Sequence, residues 1–436
     1  MKAEGSPISP SGKPHDTVEQ QRMPAPADGG LGHATPDDNL GHATPTRGRS
    51  RLSEADALAL YRDCSIHELG RRAHAGACRR HPEPYRTYVV DRNINYSNWC
   101  TAQCLFCNFK APPPGHDAPA GAPEGYVLGL DDLGRKIQEL VDIGGTQVLL
   151  QGGLAPPDLL GFGWYPDLLR FIRSSFPKIH IHAFSPPEIF YFSRVFGMSV
   201  RDVLLRLREA GLDTIPGGGA EILVDRVRQR ISRGKTRTDE YLEVMRQAHL
   251  IGMRTTITMM FGHIETIPER IEHLRRVRDL QDETGGFTAF ICWTFQPGGT
   301  ALAQQFPTRP ADPATPSSAV ASCTDPAATG SAVASPPDGE RLVLAGAHEY
   351  LKTLSIARLF LDNIPNLQAS WVTQGPKIGQ LALFFGANDM GSVMMEENVV
   401  SAAGTTYRLN EAEIRRLITD AGWQPRKRNC YYELLE

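Results

Sequence analysis

The 436-residue chain carries 46 Lys and Arg against 49 Asp and Glu, a net charge of −3. That balance excludes the broad basic field of a general nucleic-acid binder, and there is no acidic tail. Hydrophobic residues at 41% and charged residues at 22% supply a full core, while a mean hydropathy of −0.30 without a run of 18 apolar residues excludes a membrane-spanning helix. Eight cysteines are too few for a disulfide framework, so reduced thiols in a cytoplasmic setting are expected, and the start of the chain shows no apolar secretory segment.

Residues 1–50 are rich in Pro, Gly, Ser, Asp and His and repeat LGHATP at 31–36 and 40–45. They bury too little apolar surface to offset ordering and are expected to form a disordered tail. Strand candidates follow at 87–94, 146–151, 178–185, 213–216, 254–262, 287–295, 366–372 and 391–396. Helical patterns lie between them. One spans 131–143, with Leu133, Ile137, Leu140 and Val141 on one face and Gly144-Gly145 as its stop. Ser199 is read as the cap of a helix through Ala210, and Thr238 as the cap of another through Leu250. A stretch at 306–340, with SAVAS at 318–322 and 331–335, reads as a low-complexity surface insertion within the domain spanning 51–430. Eight strands alternating with helices point to an α/β fold of the (β/α)8 barrel type, more than to an open doubly wound sheet.

Directly after the first strand, NWCTAQCLFCNF places Cys100, Cys104 and Cys107 at C-x3-C-x2-C spacing. Three thiolates within eight residues can fold around one metal centre. Structural zinc is the alternative, but it is normally closed by four ligands, and no further Cys or His follows nearby. Three ligands without a fourth suggest a 4Fe–4S cluster with one iron open to a small molecule. The position fits, since a barrel carries its chemistry at the C-terminal ends of its strands.

This spacing, with Phe106 before the last cysteine, resembles the radical S-adenosylmethionine superfamily. The resemblance implies that the open iron chelates the methionine moiety of S-adenosylmethionine and that reductive cleavage yields a 5′-deoxyadenosyl radical. Gln151-Gly152-Gly153 stands where that superfamily has its glycine-rich methionine-binding motif, though it departs from the commoner Gly-Gly-Glu form. The blocks IHIHAFSPPEI, DTIPGGGAEIL, GMRTTITMMFGHIET, WTFQP, ASWVTQGPKIGQLAL and MMEENVVSAAGT are similar to the futalosine-pathway enzymes of menaquinone biosynthesis and to the deazaflavin-cofactor synthases, and among these most like the cyclic dehypoxanthine futalosine synthases. The implied substrate is dehypoxanthine futalosine, cyclised after hydrogen abstraction at ribose C4′. An electron donor such as flavodoxin or ferredoxin is implied as partner. Aminofutalosine synthase and the deazaflavin synthases share the cluster and fold and stay open as alternatives, as does a non-catalytic iron–sulfur protein.

Candidate cofactor contacts are Ser185, Glu188 and Glu221, with Gly217-Gly218-Gly219 allowing close backbone approach to a ligand. Ser185 and Glu188 are also a good helix start, a cap and a first-turn acid. Arg228 is a candidate for neutralising a ligand carboxylate, with a solvated helix face as its alternative. His182, His263 and Glu265 are candidate bases. Trp293, Phe295 and Trp371 are candidate cavity walls, and Cys292, mid-strand, is expected to be inert.

Overall fold

The computed structural model describes residues 51–116, 121–306, 308 and 341–435. The tail at 1–50 and nearly all of the 306–340 stretch lie outside the described residues. Twelve strands occur among the described residues: β1 (Tyr85–Val89), β2 (Asp91–Asn95), β3 (Gln103–Cys104), β4 (Gln147–Gln151), β5 (His180–Ala183), β6 (Thr214–Ile215), β7 (Ser232–Arg233), β8 (Arg254–Phe261), β9 (Phe287–Thr294), β10 (Asn366–Gln368), β11 (Asp389–Ser392) and β12 (Gln424–Lys427).

β2, β4, β5, β6, β8, β9, β10 and β11 follow one another in parallel register, and β11 then pairs with β1. β1 and β2 are one run of chain bent at Val90. The first half pairs with β11 and the second with β4, and Val90 O accepts Thr146 N at 3.1 Å. The bent strand therefore joins both edges of the sheet, and the ring closes as an eight-stranded parallel barrel. The expected fold class holds.

Each expected strand is present, with boundaries moved. The segment expected as a strand over 366–372 turns at Ser370 into a short helix, Trp371–Gln374. The final barrel strand lies at 389–392 rather than 391–396. The helix Leu130–Asp142 buries Leu133, Ile137 and Leu140 and leaves Val141 39% exposed, and Ser199 caps Val200–Glu209 by accepting from Asp202 N. The expectation for Thr238 needs correction. It is the first helical residue, and Arg237 takes the cap position because Asp225 accepts the Thr238 amide at 2.8 Å.

β12 was not foreseen. It pairs with the outer side of β1 and returns the C-terminal segment beneath the barrel. There Arg428 grips Asp389, at the start of β11, through two bonds of 2.5 and 2.8 Å, while the Cys430 thiol lies 3.4 Å from Thr214 Oγ1, at the start of β6. The N-terminal end of the barrel is thus filled by the chain's own tail. The cavity rests on this plug, with Arg428, Cys430 and Tyr432 in its floor, and extends to the opposite end, where the cysteine loop follows β2.

Candidate active site

A cavity of about 370 Å³ runs from the lumen to the cysteine loop. Cys100, Cys104 and Cys107 line it together with Phe106, Gln151, Gly152, Gly153, His182, Ser185, Glu188 and Glu221. Three candidates do not reach it: His263, Glu265 and Arg228. Trp293 and Trp371 wall it, whereas Phe295 packs against the edge of His263.

The cysteine loop is held from two sides. On one side, Ser97 O accepts Gly153 N at 2.9 Å, Leu154 O accepts Thr101 N at 3.0 Å, and Leu154 N donates to Cys100 Sγ at 3.3 Å. On the other, Gln103-Cys104 forms a two-residue antiparallel ladder with Ser232-Arg233. The glycine pair is required by crowding. A Cβ on Gly152 would lie 2.3 Å from the Tyr96 ring, and one on Gly153 would lie 2.1 Å from the Trp99 carbonyl oxygen. Loop and turn meet at backbone distance, which only glycine permits.

Glu188 organises that meeting. It is 1% exposed, and each carboxylate oxygen takes two donors. Oε1 accepts the Tyr96 hydroxyl at 2.6 Å and Gly152 N at 3.0 Å, while Oε2 accepts Ser185 N at 2.8 Å and Ser185 Oγ at 2.6 Å. Burial nonetheless raises its carboxyl above the ordinary value. Glu188 and Ser185 thus form the capping box of the helix Pro186–Val195 and at the same time fix the Gly152 amide.

Glu221 follows the three glycines in a left-handed conformation, φ 39°. Its Oε1 accepts Lys235 Nζ at 3.0 Å, and its Oε2 has no hydrogen-bond partner, with Arg228 Nη1 3.7 Å away. Lys235 also sits over the Phe106 ring at 5.3 Å. Burial alone would lower the Lys235 ammonium, but Cys104, Glu221 and Cys107 outweigh it and raise it. Arg228 spends its guanidinium on the Thr236 and Gly219 carbonyls at 2.9 and 3.0 Å, holding the loop that carries Glu221.

The residues fit an iron–sulfur cluster. Burial pushes the free Cys104 thiol up to about 12, so it needs a strong Lewis acid to ionise, which a coordinating iron supplies. The buried Lys235 ammonium sits beside these sulfurs, where thiolate charge would collect. Among the described residues no three His, Cys, Asp or Glu groups are gathered as ligands of one metal ion. Zinc draws its sulfurs to within about 4 Å of each other, whereas a cluster takes each thiolate on a separate iron.

Deeper in the lumen, His182 Nδ1 lies 2.7 Å from Thr214 Oγ1, and burial lowers the imidazole to about 3, leaving it neutral. His263 and Glu265 turn away behind β8. Glu265 accepts Gly262 N at 2.7 Å and Arg270 Nε at 2.8 Å. Burial would raise the Glu265 carboxyl, but His263 and Arg270 hold it far below the usual range. Cys292 is buried, and its thiol is pushed up to about 12.

Sequence reasoning passed over Asp91, Asn93 and Asn95. They point into the cavity at alternate positions of the first strand, on the face opposite Arg92 and Ile94. Asp91 is fully enclosed, bonded to Ser392 and to Gln147 Nε2 at 3.0 Å, and burial raises its carboxyl to about 6. Lys235, Lys110 and the tail residues Arg428 and Cys430, which also line the cavity, carried no local signal.

With this geometry in place, family comparisons decide the class. Residues 94–277 match the radical SAM superfamily, and residues 341–436 match the CofH/MqnC C-terminal region. The chain is 44% identical to a cyclic dehypoxanthine futalosine synthase of Halalkalibacterium halodurans over 88% of this chain and 92% of that protein. The chain belongs to the radical S-adenosylmethionine superfamily. It is an enzyme of that superfamily's futalosine group, whose cofactors are a 4Fe–4S cluster and S-adenosylmethionine. A Streptomyces coelicolor protein of the same name is 39% identical over 88% of this chain and 86% of that protein. A Methanosarcina barkeri 5-amino-6-(D-ribitylamino)uracil–L-tyrosine 4-hydroxyphenyl transferase is 36% identical over 80% and 81%. The crystal structure of methylornithine synthase shares the fold at TM-score 0.61 and 18% identity, covering 86% of this chain and 94% of that one. No described helix is long and apolar enough to cross a membrane.

Proposed function

We propose that this radical SAM enzyme cyclises dehypoxanthine futalosine to cyclic dehypoxanthine futalosine in menaquinone biosynthesis, in the cytoplasm, with flavodoxin or ferredoxin as electron donor. The observation that carries the reading is a single cavity shared by a three-thiol loop, a crowded Gly152-Gly153 turn and a polar lumen wall. The choice of substrate is supported by the higher identity to the two cyclases, 44% and 39%, than to the transferase, 36%.

When bound, a reduced cluster and S-adenosylmethionine supply a 5′-deoxyadenosyl radical. The chain's own part is to hold and enclose. Cys100, Cys104 and Cys107 are the residues that would hold the cluster, one thiolate to each of three irons. Glu188, by accepting the Gly152 N–H, fixes the Gly152-Gly153 turn beside the cysteine loop. Glu221, with one carboxylate oxygen free of hydrogen bonds, takes a cofactor hydroxyl or ammonium group. Trp293 and Trp371 keep the lumen dry enough for a carbon radical to survive. Ring closure at ribose C4′ would end with loss of one proton and one electron, the electron accepted by the cluster, which is left oxidised once S-adenosylmethionine is cleaved. Asp91 receives that proton on its carboxylate, since a group near 6 is ionised at neutral pH yet basic enough to accept it. The buried His182, lowered to about 3, is too weak a base for this step.

The test is anaerobic turnover of reconstituted protein with dithionite and S-adenosylmethionine. Dehypoxanthine futalosine should be consumed with formation of 5′-deoxyadenosine, and Cys104→Ala should form neither product. Deoxyadenosine formation without consumption of this substrate would return the choice to the aminofutalosine and deazaflavin enzymes.

A further inference from the structure

The charged side chains lining the cavity nearly all have dedicated partners. Asp91 has Ser392 and Gln147, and Glu188 has its four donors. Glu221 has Lys235. Glu397 accepts Asn93 Nδ2 at 3.0 Å and the Val399 and Val400 amides at 2.8 and 2.9 Å. Arg428 is doubly bonded to Asp389. Lys110 is the exception. Three residues beyond Cys107 and half-buried at the cluster end of the cavity, its ammonium meets one neutral group among the described residues, the Ala102 carbonyl at 3.2 Å. A half-buried lysine on the cavity wall with two of its three donors unspent on the described residues is poised for an anion.

We infer that Lys110 is the carboxylate receptor of the cavity: its ammonium takes the carboxylate of a bound ligand, either the benzoate of the substrate or the methionine carboxylate of S-adenosylmethionine. The inference rests on the proposed function for the first of these sources and is independent of it for the second. The ammonium is a point charge on a flexible stem, so it follows the ligand without fixing its plane. A charge-assisted hydrogen bond in a partly enclosed site is worth roughly tenfold or more in affinity.

The test is equilibrium binding by anaerobic calorimetry on the reconstituted protein, comparing wild type, Lys110→Gln and Lys110→Arg. The probes are S-adenosylmethionine, dehypoxanthine futalosine and the benzamide analogue of the latter. One carboxylate ligand should weaken about tenfold or more in Lys110→Gln and recover in Lys110→Arg, the other changing little. Weakening of dehypoxanthine futalosine assigns the benzoate, and then the benzamide analogue should bind wild type and Lys110→Gln alike. Weakening of S-adenosylmethionine alone assigns the methionine carboxylate. Unchanged binding of both ligands overturns the inference. If Lys110→Gln does not fold, Lys110→Met takes its place as the charge-removing variant, and unchanged binding of both carboxylate ligands by it also overturns the inference. Wild type that binds S-adenosylmethionine but not dehypoxanthine futalosine sinks the proposed substrate instead, leaving Lys110 to the S-adenosylmethionine arm.

Discussion

Glu188→Gln keeps the size and shape of the side chain and changes one thing, replacing an acceptor oxygen with an NH2 group. In the native site all four partners are donors: Tyr96 Oη, Gly152 N, Ser185 N and Ser185 Oγ. Whichever way the amide turns, its NH2 group faces one backbone N–H that can only donate, Gly152 N or Ser185 N, and one hydroxyl that must turn to accept. The backbone donor left unsatisfied costs about 1–3 kcal/mol and the turned hydroxyl about 1 kcal/mol, which sets the loss at roughly 2–4 kcal/mol. Against this, burial raises the Glu188 carboxyl, so neutralising it relieves part of a desolvation penalty. The net expectation is a destabilisation of about 1–3 kcal/mol, read as a lower urea midpoint at unchanged slope. Tyr96→Phe, which deletes one donor, should cost only about 1 kcal/mol. The double variant is the sharper test, because both single changes disturb the same Tyr96–Glu188 hydrogen bond. The pair should therefore cost less than the sum of the single changes. Additive losses, or a Glu188→Gln protein within 1 kcal/mol of wild type, would refute the four-donor account.

Three further expectations follow from the same geometry. Gly153→Ala puts a methyl group 2.1 Å from the Trp99 carbonyl oxygen, so the cysteine loop must shift. The folded variant should hold less iron and sulfide per chain than wild type, and full loading would contradict the crowding argument. Arg428→Met leaves the fully buried Asp389 carboxylate without its cation, a loss of about 3–5 kcal/mol in urea unfolding that Arg428→Met/Asp389→Leu should largely recover. With Asp91 near 6 and required in its ionised form, kcat/KM should fall as pH drops below about 6 and level off above it. Asp91→Asn should remove that limb along with most turnover, and an unchanged profile would dismiss Asp91 as the proton acceptor.

What the sequence disclosed is what local spacing encodes. The barrel strands stand out as short β-rich runs between capped helices, and the cysteine motif spans only eight residues, Cys100 to Cys107. Closure of the ring was not readable, because it depends on one bend at Val90 that lets a single strand serve both sheet edges. The Glu221–Lys235 pair and the Arg428–Asp389 pair join residues from separate elements, so no window of sequence contains their meaning. His263 and Glu265 sit just past a barrel strand, as rim residues should, yet the chain turns outward after Phe261 and spends them on Arg270 and the local backbone. The alternation of Asp91, Asn93 and Asn95 was present in the sequence, but such a pattern tells an inward face from an outward one only when the fold is known.

In the proposed reaction, this cavity directs a 5′-deoxyadenosyl radical at ribose C4′ of dehypoxanthine futalosine. This is tested most directly with substrate carrying deuterium at that carbon, turned over anaerobically and followed by mass spectrometry. The account predicts one deuterium in 5′-deoxyadenosine and a cyclic product that has lost both that deuterium and one ring hydrogen. Deuterium retained in the cyclic product, with unlabelled 5′-deoxyadenosine, would contradict it.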